Sequence, residues 1–250
     1  MSPLFPEGTK ALVTGASRGI GAAVAVALAG HGCDVALNYR SKAAKAEEVA
    51  EQIRALGREA LPIRADVSDE AQVAAMYKEL KSAWGRLDVA VLNSGVTADG
   101  HLAAMSSAKW QEVIATNLTG TFFTAREATK QMYASGGAIV LIASTSGIAG
   151  RAGQANYAAS KGGVISMAKT LSYEVAPRGI RVNVVAPGFI DTDMVKKVPP
   201  AQMKEALQAI PMGRVGAASE VAQAVAFMAS PAASYITGKV LTVDGGMIPN

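Results

Sequence analysis

Lys10-Ala11-Leu12-Val13-Thr14-Gly15-Ala16-Ser17-Arg18-Gly19-Ile20-Gly21 is the stretch that decides the fold. Lys10 to Thr14 reads as a buried strand, and Ile20 to Leu28 reads as a helix. The three glycines stand where one becomes the other. A sharp turn, a backbone brought close to a pyrophosphate and a helix packed tightly on a sheet all ask for glycine there. Free N–H groups at the helix start then suit phosphate. A plain tight turn is the alternative reading. The position after the first strand of a βαβ pattern favours the phosphate site.

Outward from this turn, short apolar runs alternate with helical patterns. Strands are expected at Asp34–Asn38, Leu61–Ala65, Val89–Leu92, Ala138–Ile142, Arg181–Val185 and Val240–Val243. Helices are expected at Lys42–Leu56, from a Ser68 cap to about Trp84, and at Asn117–Tyr133, Ala155–Ala176 and Val221–Ala229. Strands that are apolar throughout, separated by helices, make a parallel sheet covered on both faces. The expected architecture is α/β, a doubly wound Rossmann-like sheet of about seven strands in one domain over residues 1–250. Residues 191–216 break the alternation with Pro199, Pro200, Pro211, Gly213 and Gly216 around a short helix, Ala201–Ala209, and form a candidate lid.

Composition narrows the function. The chain has 250 residues, 50% of them apolar, and a net charge of +4. The basic residues are scattered among acids, with few aromatics for base stacking, so no nucleic-acid partner is expected. A mild basic balance suits an anionic cofactor or substrate. Cys33 is the one cysteine, expected as a small buried residue in a reducing compartment. No signal-peptide pattern opens the chain and no apolar run approaches a membrane span, so a cytoplasmic protein is expected. His31 and His101 fit no metal or triad spacing and are expected at the surface or in loops. Trp84 and Trp110 are expected as packing residues.

Tyr157 and Lys161 stand four residues apart, one helical turn on one face. An ammonium beside a phenol favours the phenolate and lowers a pKa that is ordinarily near ~10. Ser144 precedes Tyr157 in the next strand-end segment.

Thr14-Gly15…Gly19…Gly21, Asn117, Ser144, Tyr157 and Lys161, in that order, resemble the short-chain dehydrogenase/reductase family. The resemblance runs from Lys10 to Gly246. It implies a Rossmann-like fold, a nicotinamide cofactor and a tetramer. It also implies a catalytic set in which Tyr157 donates a proton, Lys161 tunes it and binds ribose, Ser144 holds the substrate oxygen, and Asn117 holds a relay water. Carried over residue by residue, the cofactor site comprises Gly15, Ser17, Arg18, Gly19, Ile20 and Gly21, with Asp66, Val67, Asn93 and Gly95. Pro187, Gly188, Ile190 and Thr192 complete it, with Tyr157 and Lys161 shared. Leu92 and Ser94 depart from the family pattern around Asn93.

The second strand ends Asn38-Tyr39-Arg40-Ser41 without the acid that would bind an NAD ribose. Arg18 and Arg40 could converge on a 2′-phosphate, so the expected cofactor is NADPH. A solvated surface Arg40 is the alternative. Within the family the nearest resemblance is to 3-oxoacyl-acyl-carrier-protein reductases, through Gly153-Gln154-Ala155-Asn156-Tyr157, the stretch from Val182 to Ile190, and Tyr235-Ile236-Thr237-Gly238. It implies reduction of a β-ketoacyl thioester in fatty acid or polyketide synthesis, with the acyl group on a carrier protein that docks at Arg178. The usual basic cluster before the fifth strand is missing after Lys130, so that docking should be weaker. A homotetramer is expected, and a heteromeric pairing with a related subunit remains open. So do an acetoacetyl-CoA or other carbonyl or alcohol oxidoreductase, and a non-catalytic NADP-binding subunit.

Overall fold

The computed structural model describes residues 3–193, 195 and 200–248, with the side chains of 200–202 left aside. Seven strands form one sheet: β1 (Thr9–Val13), β2 (Cys33–Tyr39), β3 (Ala60–Arg64), β4 (Val89–Leu92), β5 (Gly137–Ile142), β6 (Ile180–Pro187) and β7 (Val240–Val243). Their spatial order is β3-β2-β1-β4-β5-β6-β7, with every neighbouring pair parallel. The chain therefore winds one way from β1 and the other way from β4. A crevice opens at that reversal, above the C-terminal strand ends, and ligands of such sheets bind there.

Alternation along each strand feeds two cores. On β1, Ala11 and Val13 enter one and Leu12 the other; on β4, Val89 and Val91 oppose Ala90 and Leu92. The first core is closed by α1 (Gly19–Gly30), α2 (Ala43–Ala55) and α9 (Ala218–Ala229). The second is closed by α3 (Glu70–Trp84), α5 (Gly120–Met132) and α7 (Ala155–Val175). Burial on both faces explains why the strands read as unbroken apolar runs. No helix among the described residues is long and apolar enough to cross a membrane.

Local differences from the sequence reading have plain causes. The helix expected from Asn117 already begins at α4 (Ser107–Ile114), where the Ser106 hydroxyl accepts from the Lys109 N–H at 3.3 Å. It passes through one π-helical turn, Ala115–Thr119, into α5. Asp69, not Ser68, caps α3 by accepting from Ala71 and Gln72 N–H. Ser68 instead donates its hydroxyl to Asp66 at 2.7 Å. His31 lies in the turn after α1, as expected of a loop residue, but is buried there, its ring nitrogen 3.1 Å from Gln223 Oε1. Cys33 is buried, and burial pushes its thiol up to about 12. In the expected lid, α8 spans Pro200–Ala209, and Ile190 and Gly216 pair as a parallel bridge at its base. Pro199 lies outside the described residues.

Candidate active site

The glycine turn is built where β1 ends. Gly15 takes φ of +64°, a left-handed conformation that glycine adopts without strain. A Cβ on Gly21 would overlap the Gly15 carbonyl oxygen and the Asn93 amide. Neighbouring strand ends hold the turn. Asn93 Nδ2 donates to the Thr14 and Gly15 carbonyls, and the Thr14 hydroxyl accepts from Asn93 and Ser94 N–H. Asn38 Oδ1 accepts from Gly15 N–H at 3.3 Å. Arg18 precedes α1 without any side-chain cap. The first amides of α1 thus remain available to an anion.

A cleft of about 440 Å³ lies over this turn and the strand ends. Every cofactor-binding residue expected from the sequence borders it, from Gly15 through Arg40 and Asp66 to Thr192, and so does Ser144. Arg18 and Arg40 both line it but do not converge. Arg18 reaches Asp193 at 3.1 Å, and Arg40 stands 3.7 Å from Asp66. The Arg18–Asp193 pair is solvent-exposed and the Arg40 guanidinium is exposed beside a half-buried Asp66, so both arginines can exchange these partners for a phosphate at little cost.

Ser144 follows β5, just ahead of the short α6 (Ser146–Ala149), and Tyr157 and Lys161 follow on α7. Ser144 and the Tyr157 phenol line the same cleft, and Ser144 Oγ accepts from Ser146 N–H at 3.2 Å. The phenol is pushed up to about 12, by burial first and with Asp99 adding to it, while the Ser144 hydrogen bond pulls it back. This corrects the expectation that Lys161 lowers it. Lys161 Nζ sits 5.7 Å from the ring centroid and donates to the Ile142 carbonyl at 2.7 Å. Burial lowers the amine itself to about 8. Tyr157 therefore keeps its proton at neutral pH, as a proton donor must.

Asn117 does not border the cleft. It is fully buried behind it, in the π turn. Its Oδ1 accepts from Val96 N–H at 2.8 Å, and its Nδ2 donates to the Val96 carbonyl at 3.0 Å and to Ser160 Oγ at 3.2 Å. Asn117 thus ties the loop after β4 to α7. π turns recur at functional sites because they offset one residue from the helical register.

Sequence reading missed the groups that brace this corner. Asn156 donates to the Ala98 carbonyl at 3.0 Å and to the Lys109 carbonyl at 3.2 Å. Gln154 donates to Asp99. Asn156 and Gln154 stand in the quoted family stretch before Tyr157. Asp99 carries no local signal, since its partner lies 55 residues away.

A family model described as Enoyl-(Acyl carrier protein) reductase matches residues 15–248, which include the whole cleft. Over 238 residues the chain is 47% identical to a 3-oxoacyl-acyl-carrier-protein reductase FabG of Staphylococcus aureus, covering 95% of this chain and 97% of that one. The chain belongs to the short-chain dehydrogenase/reductase family. A second member, the 3-oxoacyl-acyl-carrier-protein reductase of Synechocystis, is 45% identical over 240 residues, with 95% and 96% covered. Among solved structures, a Sinorhizobium meliloti chain assigned as a short-chain alcohol dehydrogenase superposes with a TM-score of 0.94 at 36% identity, covering 98% of each chain. For a short-chain reductase, the glycine turn with no room for a Cβ and the buried amine of Lys161 are a fitting cradle for a dinucleotide.

Proposed function

We propose that this protein reduces 3-oxoacyl thioesters to (3R)-hydroxyacyl thioesters with NADPH. The observation that carries the reading is that Ser144, Tyr157 and Lys161 meet in one cleft over the glycine turn, with the Lys161 amine 5.7 Å from the Tyr157 ring centroid. The relatives named 3-oxoacyl reductases support the substrate class.

A bound nicotinamide supplies the hydride that the ketone carbon receives. The chain's own part is to orient and to move a proton. Ser144 donates to the substrate carbonyl and steadies the charge growing on that oxygen. Tyr157 transfers its phenolic proton to the same atom. Its high pKa keeps it protonated beforehand. Lys161 holds the ribose hydroxyls and faces the phenol, and Asn117 holds the loop and helix that frame them. Arg18 and Arg40, with no acid at the end of β2, favour the 2′-phosphate of NADPH over an unphosphorylated ribose. The bases lining that rim suit the anion.

The acyl group arrives on an acyl carrier protein. Arg178 lies just before β6, at the far end from the cleft-lining Pro187 and roughly 25 Å from it by strand rise. A carrier docked on Arg178 would serve the cleft of a neighbouring subunit. Exposed Phe122 on α5 and Tyr173 on α7 suit such an assembly, a homotetramer.

The family model's description favours a second reading, reduction of an enoyl C=C bond. The test is NADPH consumption with acetoacetyl and with crotonyl thioesters, each on carrier protein and on CoA. The proposal expects turnover of the acetoacetyl form alone. Turnover of the crotonyl form alone would support the enoyl reading.

A further inference from the structure

The loop between α6 and α7 holds a cation that no acid neutralises among the described residues. Arg151 stands in this loop, and its carbonyl accepts from the Gln154 N–H at 3.1 Å. Its guanidinium carbon lies over the Phe189 ring, 4.6 Å from the centroid. No carboxylate among the described residues comes within ion-pair distance of it, whereas Arg18, Arg40 and Arg214 each face one. Asp99, on the neighbouring loop, accepts from Gln154 Nε2 at 3.0 Å instead.

The position matters as much as the charge. The cleft is bordered by the glycine turn, Arg40 and Asp66, proposed for the cofactor, and by Ser144 and Tyr157, proposed for the reacting carbonyl. Arg151 lies just outside the cleft on the Ser144 side, where the Gly150 N–H donates to the Ser146 carbonyl at 3.0 Å. Phe189 stands between Gly188 and Ile190, which both border the cleft, and it packs with Ala206 of α8 and with Ile210. The loop faces open space, since a Cβ on Gly150 or Gly153 would meet nothing within 4 Å. A long substrate held by its carbonyl at Ser144 can leave the cleft along this open loop.

A guanidinium on an aromatic ring spends its π face on the stack and keeps its edge N–H donors. Those donors match two oxygens of a phosphate at once. The acyl-carrier and CoA thioesters of the proposed reaction share one such anion, because a pantetheine arm joins the sulfur to a phosphate in both. We propose that Arg151 is a substrate-binding residue that receives this phosphate, with Phe189 holding the guanidinium in place. The inference rests on the reading of the protein as a 3-oxoacyl thioester reductase. Two jobs are thereby separated. Ser144 and Tyr157 act on the carbonyl, whereas Arg151 holds the far end of the arm, so its loss shows in KM rather than in kcat.

Acetoacetyl 4′-phosphopantetheine and acetoacetyl pantetheine differ by the phosphate alone, and steady-state rates with both are the test. The parent should show a KM about 10-fold lower for the phosphorylated form, the worth of one charge-assisted contact, with equal kcat. In Arg151→Met, which keeps the stem without the charge, the two KM values should coincide at the pantetheine value. KM for the CoA and carrier-protein thioesters should rise as well. NADPH affinity by fluorescence titration and the melting temperature should stay where they are. Arg151→Lys, which restores the charge without the planar fork, should recover part of the difference. A parent that does not distinguish the two forms would overturn the proposal. So would an Arg151→Met variant that still distinguishes them, or that weakens both equally. Should Arg151→Met fail to fold, Arg151→Gln takes its place with the same expectations. No turnover of either form by the parent would overturn the reductase reading and this proposal with it, whereas turnover without discrimination overturns the proposal alone.

Discussion

Lys161 donates to the Ile142 carbonyl at 2.7 Å, which fastens α7 to the end of β5. Its amine is buried, and its pKa falls from 10.5 to about 8 through burial alone. The fold thus holds a cation where it is disfavoured, 5.7 Å from the Tyr157 ring centroid.

The stability consequence has a definite sign. A lowered folded pKa means that the ammonium destabilises the fold below pH 8. The penalty is relieved as pH rises from about 8 to 10.5 and is absent above that window. At one pKa unit per 1.36 kcal/mol the penalty is at most about 3 kcal/mol. Lys161→Met should therefore unfold at higher temperature than the parent at pH 7, less about 1 kcal/mol for the orphaned Ile142 carbonyl. The advantage should shrink toward pH 10.5. Calorimetry of both proteins across this range checks it. A variant less stable than the parent at pH 7 would contradict it.

Gly21→Ala should abolish NADPH binding and destabilise the fold by about 1–3 kcal/mol. The added methyl would have to displace the Gly15 carbonyl and the Asn93 amide together, and these two groups are hydrogen-bonded across the turn proposed to hold the phosphates. Denaturant unfolding and fluorescence titration read the two effects separately. Gly30→Ala is the control, because nothing surrounds that Cβ.

Exchanging Arg18 and Arg40 together for methionine should weaken NADPH at least tenfold and leave NADH nearly unaffected. The proposed partners of the 2′-phosphate are lost, while the groups proposed to hold the rest of the cofactor are untouched. Both arginines are exposed, and Arg40 stands 3.7 Å from Asp66, so little stability should change. Titrations with both cofactors settle it, and equal weakening of both would contradict the 2′-phosphate role.

Much of this molecule was legible beforehand, for identifiable reasons. Strands such as Val89–Leu92 are buried on both faces, so they announce themselves as apolar runs, and the glycine turn has a local steric requirement. Ser144, Tyr157 and Lys161 could be found because two of them lie one helical turn apart and all belong to a familiar order. Other features were illegible because they depend on contacts far along the chain. The phenol of Tyr157 is raised rather than lowered, since burial outweighs the lowering by Ser144, and burial follows from the whole fold rather than from residue spacing. The bonds by which the buried Asn117 holds Val96 and Ser160 span 21 and 43 residues, and no local pattern carries them. His31 is buried by Gln223, 192 residues away. The Asp99–Gln154 contact likewise joins two loops whose spacing carries no pattern.

The central claim is that the Tyr157 phenol delivers the proton to a 3-oxoacyl carbonyl. Its most direct measurement is NADPH consumption by Tyr157→Phe with an acetoacetyl thioester, alongside NADPH affinity. Positioned acid catalysis is worth about 10²–10⁴-fold, so kcat should fall by that factor while NADPH binds as tightly as before. A variant that keeps kcat within a few-fold of the parent would show that the proton comes from elsewhere.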